Sequence, residues 1–384
     1  MLFNGNIESK LPRVKTTIFT VMSTLAREHQ AINLAQGFPD FEVNPKLIEL
    51  VTKAMKSGHN QYAPMQGLMN LREAIAVKTQ QLYSAVYDPE KEITVSAGAT
   101  QALFTAIAAF VKEGDEVIVI EPAYDCYVPA IELNGGIPKF VQLDDATYQV
   151  KWDHVKKLIT QKTRAIIINT PHNPTGAILS AADMQKLEKM LKDRDILVIS
   201  DEVYEHIIFD GMEHQSLARF PELAKRSIIV SSFGKTYHTT GWKVGYVLAP
   251  ENLMAEFRKV HQYNVFSVNT PVQQAYAEIL KDSFLYLELG QFYQQKRDYF
   301  RKLLKGSRFD IKPVHGSYFQ VLGYSKITDE KDVDFARRMT TEMGVAPIPL
   351  SVFFNNQHDT RCLRFCFAKQ DETLEKAAEK LMKI

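Results

Sequence analysis

Short apolar runs alternate with amphipathic stretches through the middle of the chain, from about residue 92 onward. The apolar runs are Ile93–Val95, Glu116–Ile120, Ala165–Ile168, Ile196–Ile199 and Ile228–Val230. Continuous apolar runs of this length are typical of strands that are covered on both faces. Helical patterns lie between them, for example at Gln101–Lys112 and Ala181–Lys192. The alternation predicts an α/β fold in which helices flank a mostly parallel sheet.

The two ends of the chain follow a different pattern. A short helical pattern at Ile18–Glu28 precedes a loop that contains Gly37 and Pro39. An amphipathic region at 271–305 bridges toward the C-terminus, where two strand patterns and a final amphipathic helix predict a smaller α+β domain. We expect three parts: an N-terminal arm that also joins the small domain over 1–44, a large domain over 45–284, and a small C-terminal domain over 285–384.

Composition changes this expectation little but excludes several classes. Of the 384 residues, 45% are hydrophobic and 24% charged, and the net charge is +1, as in an ordinary globular protein without a nucleic-acid or membrane partner. No apolar run approaches the roughly 20 residues that span a bilayer, and the first residues lack a signal-peptide pattern. Three cysteines (Cys126, Cys362 and Cys366) without CxxC spacing favour reduced thiols and a cytoplasmic location.

Polar side chains and glycines follow four of the predicted strands. In an open α/β sheet, ligands bind beyond the carboxyl ends of the strands. The residues that come after the four strands are Gly98, Ala99 and Thr100; Asn169 and Asn173; Asp201 and Tyr204; and Ser232 and Lys235. Each group alone has an ordinary explanation, such as a turn or a helix N-cap. Together, on one side of one sheet, they predict a built site.

This set of side chains meets the requirements of pyridoxal phosphate. The cofactor needs a lysine amine for its aldehyde, N–H and hydroxyl donors for its phosphate, and a carboxylate that keeps its pyridine nitrogen protonated. A free lysine has a pKa of about 10.4. Burial and nearby positive charge must therefore lower the pKa of Lys235 before its amine can attack.

The chain resembles the fold-type I aminotransferases of class I/II over essentially its whole length. Within them it is most similar to the bacterial methionine aminotransferase and kynurenine–glutamine aminotransferase group. The matching segments are Asn33–Asp40, Asn60–Pro64, Ala97–Thr100, Asn169–Gly176, Ser200–Tyr204, Ser231–Gly245 and Arg364–Ala368. The resemblance implies a sheet of the seven-stranded type, a homodimer with shared active sites, and ping-pong transfer of an amino group from an L-amino acid to a 2-oxo acid.

The resemblance also implies roles for individual residues. Lys235 matches the Schiff-base lysine that moves the substrate α-proton, and Asp201 matches the carboxylate partner of the pyridine nitrogen. Asn169, Asn173, Tyr204 and Tyr124 match residues around the cofactor ring, whereas Gly98, Ala99, Thr100, Ser232 and Lys243 match the phosphate cradle. Lys243 stands where many relatives carry arginine, so bidentate phosphate binding is not expected there. Tyr62 matches a tyrosine that reaches the site of the partner subunit.

Substrate binding is assigned in the same way. Arg364 matches the arginine that clamps the α-carboxylate, with Gly37 and Asn173 beside it; a structural ion pair inside the protein is the alternative. Aromatic residues fall in segments that line the pocket in relatives: Phe19, Phe38, Tyr62, Tyr318 and Phe353. They favour apolar or sulfur-containing side chains, methionine first and then phenylalanine, tyrosine, leucine or glutamine. The segment 261–269 offers no second arginine for a dicarboxylate.

Three other functions compete with this interpretation. A cysteine-S-conjugate β-lyase would use the same lysine and the same site. A P-loop nucleotide-binding protein would need glycine where Ile229 stands, five positions before Gly234. A regulator built on the same fold would need an added DNA-binding module, for which the chain has no room. The histidines show no HExxH pattern, and we expect no metal site.

Overall fold

The computed structural model describes all 384 residues. The strands are β1 (Ile32–Asn33), β2 (Ile93–Ser96), β3 (Glu116–Glu121), β4 (Ile137–Gln142), β5 (Thr163–Asn169), β6 (Leu197–Asp201), β7 (Ser227–Ser232), β8 (Gly245–Leu248), β9 (Asp310–Ile311), β10 (Phe319–Gly323), β11 (Val345–Ala346), β12 (Ile348–Pro349) and β13 (Cys362–Cys366). The helices are α1 (Ile18–Glu28), α2 (Pro45–Lys56), α3 (Met69–Tyr83), α4 (Ala99–Phe110), α5 (Tyr127–Leu133), α6 (Trp152–Leu158), α7 (Ala181–Leu191), α8 (Pro221–Ala224), α9 (Phe233–Thr236), α10 (Glu251–Asn264), α11 (Thr270–Ile279), α12 (Phe284–Leu287), α13 (Leu289–Leu303), α14 (Asp332–Arg338) and α15 (Asp371–Leu381).

Seven strands form the main sheet, in the order β2-β8-β7-β6-β5-β3-β4. Only β8 runs against its neighbours β2 and β7, and the other adjacent pairs are parallel. The mostly parallel α/β sheet expected from the sequence is therefore confirmed. Two of its strands, β4 and β8, were not predicted. β4 lies at the edge of the sheet and carries Pro138 and Lys139, so its pattern is not that of a buried strand.

The main sheet is covered on both faces. In β3 every residue is buried, and its side chains alternate between two separate cores. Ile118 and Ile120 belong to the larger hydrophobic cluster, whereas Val117 and Val119 belong to the smaller one. This double coverage explains why the strands have continuous apolar sequences.

A smaller antiparallel sheet has the order β12-β13-β10-β9 and carries the C-terminal part of the chain. The short strand β1 pairs in parallel with β11, which supports the assignment of the N-terminal arm to this part. The smaller α+β region is confirmed, but the exact domain limits remain a prediction. The amphipathic region 271–305 divides into α11, α12 and α13. None of the helices is long and apolar enough to cross a membrane.

The topology places four strand ends at one edge. Strands β2, β5, β6 and β7 point in the same direction, although the antiparallel β8 separates β2 from β7. Their carboxyl ends therefore lie along the same edge of the sheet. The helix α4 begins three residues after β2, and the short helix α9 follows β7 directly.

Candidate active site

A cavity of about 320 Å³ opens at this edge of the sheet. Its volume falls within the range of roughly 300–1,000 Å³ that is usual for small-molecule sites. Tyr62 and three of the predicted pocket aromatics, Phe38, Tyr318 and Phe353, do not line it. All the other site residues predicted from the sequence do, namely Phe19, Gly37, Gly98, Ala99, Thr100, Tyr124, Asn169, Asn173, Asp201, Tyr204, Ser232, Lys235, Lys243 and Arg364. Residues that are more than 300 positions apart in the chain thus meet in one pocket.

Lys235 lies in the single turn of α9, directly after β7. Its Nζ donates hydrogen bonds to the Tyr318 hydroxyl at 2.7 Å and to the Gly37 carbonyl oxygen at 3.1 Å. Burial lowers the pKa of Lys235 to about 8, and the charges of Arg364 and Lys243 act in the same direction. A substantial fraction of this amine is therefore neutral near pH 7.5, as a nucleophilic or basic lysine requires.

Asp201 ends β6 and is the only carboxylate in the cavity lining. Its Oδ2 accepts a hydrogen bond from the Tyr127 hydroxyl at 2.6 Å, and its Oδ1 accepts one from the backbone N–H of Val203. Burial raises the pKa of Asp201 to about 6, although both hydrogen bonds oppose the shift. A buried carboxylate with this pKa gains from a cationic partner such as a protonated ring nitrogen.

Asn169 and Asn173 connect the strand ends to one another. The Asn169 side chain donates to the Asp201 carbonyl oxygen at 2.9 Å and accepts from the Asn173 backbone N–H at 2.8 Å. The Asn173 amide oxygen in turn accepts from Arg364 at 2.7 Å. Tyr204 is buried beside them, with its ring centroid 5.5 Å from Lys235 Nζ. The positions of these polar groups are therefore fixed by the protein itself.

The N-terminus of α4 provides an anion-binding cradle. Gly98 precedes the helix with φ +79°, a conformation that favours glycine, and no side chain caps the helix N-terminus. A Cβ at Gly98 would be in ordinary contact with Lys243, 3.4 Å from its Cε and 3.5 Å from its Nζ, so the cation lies directly beside the start of the helix. Free N–H groups, Thr100, Ser232 and the Lys243 ammonium are the donors that a phosphate needs. The residues present thus fit the phosphate end of pyridoxal phosphate.

Arg364 lies in the middle of β13 and is fully buried. Its Nη atoms donate to two neutral acceptors, Asn173 Oδ1 and the Ala35 carbonyl oxygen, and its Nε has no partner. Its guanidinium carbon lies 3.9 Å from the ring centroid of Phe319. A structural ion pair does not fit this arrangement. A buried guanidinium that lacks a charged acceptor and has a free donor suits an incoming carboxylate.

The aromatic residues predicted for the pocket have different positions. Phe19 lines the cavity. Phe353 packs against the ring of Phe19, and the two ring centroids are 6.0 Å apart. Phe38 is 44% exposed and lies beside Lys369 instead of lining the cavity, so its predicted contribution is not supported. Tyr62 is 80% exposed and contacts Phe266.

The structure shows three contacts between site residues and their neighbours that the sequence did not predict. Tyr127 supports Asp201 from a position 74 residues away, and Phe319 stacks on Arg364. Tyr318 was predicted only as a pocket aromatic, but it bonds the Lys235 amine. Tyr127 lies three residues after Tyr124, and Tyr318 lies within the strand predicted over Ser317–Val321, which in the structure begins one residue later, at Phe319. Neither residue carries a local signal that names its partner.

A seven-stranded sheet of this topology, with a buried lysine, a buried carboxylate and a helix N-terminus at its carboxyl edge, defines the pyridoxal-phosphate enzymes of fold type I. Residues 29–381 match the family model of the aminotransferases of class I and II. The chain belongs to this family and is a pyridoxal-phosphate-dependent aminotransferase.

Individual relatives agree with this assignment. The chain is 50% identical to the methionine aminotransferase of Escherichia coli, over 98% of both chains. It is 34% identical to human kynurenine–oxoglutarate transaminase 1, over 94% of this chain and 93% of the relative. The crystal structure of Escherichia coli YbdL, described as having a methionine aminotransferase function, superposes with a TM-score of 0.97 at 50% identity, covering 99% of this chain and 100% of that one. The comparisons favour neither a β-lyase nor a nucleotide-binding protein.

Proposed function

We propose that this aminotransferase takes the amino group from an L-amino acid with an apolar or sulfur-containing side chain, methionine foremost, and passes it to a 2-oxo acid. The set of cations in the cavity carries this proposal. Lys235, Lys243 and Arg364 are the only cationic side chains that line it. If they serve the reacting amine, the phosphate and the substrate α-carboxylate, this chain has no cation left for a second carboxylate. The similarity to a methionine aminotransferase supports the same choice.

The cofactor would be held by the residues that line the strand ends. Gly98, Ala99, Thr100, Ser232 and Lys243 would bind its phosphate, and Asp201 its ring nitrogen. Asn169, Asn173, Tyr204 and Tyr124 would contact the ring and its oxygen. Bound pyridoxal phosphate supplies an aldehyde that condenses with amines and a ring that stabilises negative charge at the substrate α-carbon.

The chain's own residues then have separate tasks. Arg364 binds the substrate carboxylate through its free Nε, while Asn173 and Gly37 lie beside it, and this fixes the α-carbon in position. The Lys235 amine, with its pKa lowered to about 8, accepts the α-proton and holds it at Nζ for return. Asp201 stays ionised when it faces a protonated nitrogen. Phe19 and Phe319 exclude water from the carboxylate site.

A homodimer completes this proposal. Tyr62 is 80% exposed and Phe266 48% exposed, and their rings are 5.1 Å apart. Exposed aromatic pairs of this kind are enriched where proteins meet. We assign Tyr62 to the active site and the substrate of the partner subunit, which explains why it lies outside the cavity of its own chain.

A substrate panel tests the choice of side chain. The kcat/KM of methionine, phenylalanine, tyrosine, leucine and glutamine is compared with that of aspartate and glutamate, using one 2-oxo acid acceptor. Leaving a second carboxylate unpaired in this pocket should cost at least about 3 kcal/mol, so methionine should exceed aspartate by about 100-fold or more. Equal values for methionine and aspartate would overturn the proposal.

We also propose a cytoplasmic location. The support is that Cys126, Cys362 and Cys366 are all free thiols, as expected in a reducing compartment. Cell fractionation with an antibody to the chain tests this, and recovery in a secreted or periplasmic fraction would contradict it.

A further inference from the structure

Tyr318 places a hydroxyl directly against the proposed catalytic amine. The residue precedes β10, and its side chain is fully buried. Lys235 Nζ donates to this hydroxyl at 2.7 Å, and the hydroxyl itself donates to the carbonyl oxygen of Gly37. The same carbonyl oxygen also accepts from Lys235. The amine, the phenol and the carbonyl thus form a closed triangle.

The hydrogens of this triangle can be counted. A phenol has one hydrogen, which Tyr318 gives to Gly37, so its lone pairs must accept from Lys235. A neutral amine has two N–H bonds and one lone pair. If both N–H bonds are used on Tyr318 and Gly37, the lone pair is the only part of the nitrogen that remains free. In the ammonium form, the third N–H occupies that same direction.

We infer that Tyr318 is a positioning residue that orients the Lys235 nitrogen, so that its lone pair, or the proton that replaces it, points away from the triangle and into the active-site cavity. This inference rests on the proposed role of Lys235 as the amine that exchanges the α-proton. Neither proton acceptance nor proton return changes the two holding bonds. The amine can therefore switch protonation state without rotating.

The surroundings of Tyr318 make it suitable for this task. Its ring packs against the rings of Tyr204, Phe319 and Tyr293, with centroids 5.1, 4.9 and 5.7 Å away. Its backbone carbonyl oxygen accepts from the N–H of Phe367 at 3.0 Å. Burial raises the pKa of Tyr318 well above its ordinary value, so the phenol stays neutral and keeps the hydrogen that it gives to Gly37.

Gly37 permits the third side of the triangle. A Cβ at this position would lie 2.8 Å from Phe319 Cζ, so a larger residue would displace either the ring or the carbonyl. Gly37 was assigned to substrate binding from the sequence. Its carbonyl oxygen also serves the lysine, and Tyr318 therefore ties the N-terminal segment to the amine.

The test compares Tyr318→Phe with Tyr293→Phe. Tyr293 is a matched control because it is also fully buried, its ring contacts Tyr318, and its hydroxyl has no hydrogen-bond partner. The holoenzymes are mixed with methionine in single-turnover experiments, using α-protonated and α-deuterated substrate. Tyr318→Phe should slow the half-reaction at least about tenfold, because catalytic groups lose rate steeply when misoriented, and should increase the deuterium isotope effect. Tyr293→Phe should change neither.

A second readout does not depend on turnover. Apoenzyme is mixed with pyridoxal phosphate, and the rate of attachment to Lys235 is followed by absorbance at constant pH. Attachment uses the same lone pair, so Tyr318→Phe should slow it while Tyr293→Phe leaves it unchanged. Melting temperatures of the apo forms check the fold. If Tyr318→Phe does not fold, 3,5-difluorotyrosine at position 318, a weaker acceptor of similar size, should slow both reactions to a smaller extent.

The outcomes separate this inference from the proposed function. If Lys235→Ala abolishes transamination but Tyr318→Phe matches Tyr293→Phe in all readouts, the positioning role is overturned and the role of Lys235 stands. If Lys235→Ala retains near-normal turnover, the assignment of the lysine itself is wrong. Slower proton transfer and slower attachment in Tyr318→Phe alone support the inference.

Discussion

The ion pair between Lys78 and Glu205 lies behind the active site and is removed from solvent. Lys78 is in α3, and Glu205 comes four residues after Asp201. Their charged atoms are 2.7 Å apart, and each side chain is only 3% exposed. The carboxylate also accepts hydrogen bonds from Tyr246 at 2.8 Å and Tyr83 at 2.5 Å. Replacing Lys78 by methionine would leave this carboxylate buried with two phenol donors and no cation.

The size of the effect follows from this geometry. At 2.7 Å and an effective dielectric constant of about 20, the Coulomb attraction is roughly 6 kcal/mol. Removal of one partner from a buried pair typically costs about 3–5 kcal/mol, which is our expectation for the apoprotein of Lys78→Met. In Lys78→Met/Glu205→Gln the amide keeps the phenol contacts without the charge, so most of the stability should return, with a coupling free energy of about 2–3 kcal/mol.

The penalty should also depend on pH. In the native protein, burial alone would raise the pKa of Glu205, but Lys78 and the hydrogen bonds outweigh it and hold the pKa well below its ordinary value. The native pair therefore adds stability above the unfolded pKa of Glu205, and this stability is lost as the pH falls. Without Lys78 the folded carboxylate has a raised pKa and gains stability on protonation. His206, 3.7 Å from Glu205, is the other nearby group that can take a proton. The difference in the free energy of unfolding between the native protein and Lys78→Met should therefore become smaller as the pH is lowered from 8 to 5.5.

Urea unfolding followed by far-UV circular dichroism measures these differences. All variants are compared at one protein concentration, because the proposed dimerisation would make the apparent stability depend on concentration. Lys281→Met is the matched control. Lys281 pairs with Glu278 at 2.8 Å, but the two side chains are 67% and 46% exposed. Its loss should cost no more than about 0.5 kcal/mol at any pH. If Lys78→Met is as mild as this control, or its penalty is independent of pH, the charge-burial argument is refuted.

Four further predictions concern the cavity. Lys235→Ala should abolish transamination with an unchanged circular dichroism spectrum. When its subunits are mixed in equal amounts with Tyr62→Ala subunits, about a quarter of the native activity should return, since half of the dimers would be mixed and each would carry one complete site of two. No recovery of activity would contradict shared sites. Asp201→Asn should bind pyridoxal phosphate but lose most of kcat, because an amide cannot hold a ring proton by charge. Arg364→Ala should raise KM about 10- to 150-fold for every amino acid, whereas Arg361→Ala, which removes an exposed pair with Asp329, should not. Attachment of pyridoxal phosphate to the apoenzyme should accelerate about tenfold per pH unit below pH 8 and level off above it, since burial lowers the pKa of Lys235 to about 8; a rate that is flat from pH 6 to 8 would exclude this.

The parts of the fold that could be predicted are those whose sequence reflects one local environment. Strands β3, β5, β6 and β7 lie inside the sheet with both faces covered, and their continuous apolar runs are characteristic of that position. The edge strand β4 is mostly only partly buried and contains a proline, so its pattern is mixed. Strand β8 spans only four residues, Gly245–Leu248. Its antiparallel direction depends on pairing with β2 and β7, which no local pattern encodes.

The same distinction holds for the site. Lys235, Asp201 and Asn173 follow strand ends, so the sheet topology alone predicts that they meet. The buried residues that hold this part of the chain in place do not follow strand ends, so the sheet topology does not predict them. Tyr318 is 83 positions from Lys235, and Lys78 is 127 positions from Glu205. These contacts depend on how helices and the smaller sheet pack on the main sheet, and a tyrosine or lysine in an amphipathic segment has the same sequence pattern whether or not it finds such a partner.

The segment from Asp201 to Glu205 shows why the buried supporting residues matter for the side chains that face the cavity. It contains three carboxylates, but only Asp201 faces the cavity. Glu202 points into the core, where it accepts from Ser200 at 2.8 Å and from the backbone N–H of Leu217 at 3.1 Å and contacts His214. Glu205 is held by Lys78. Because these two buried anchors alternate with Asp201 and Tyr204 along the chain, they restrain the backbone that aims both cavity-facing side chains. Stability of the core and alignment of the site therefore depend on the same buried charges.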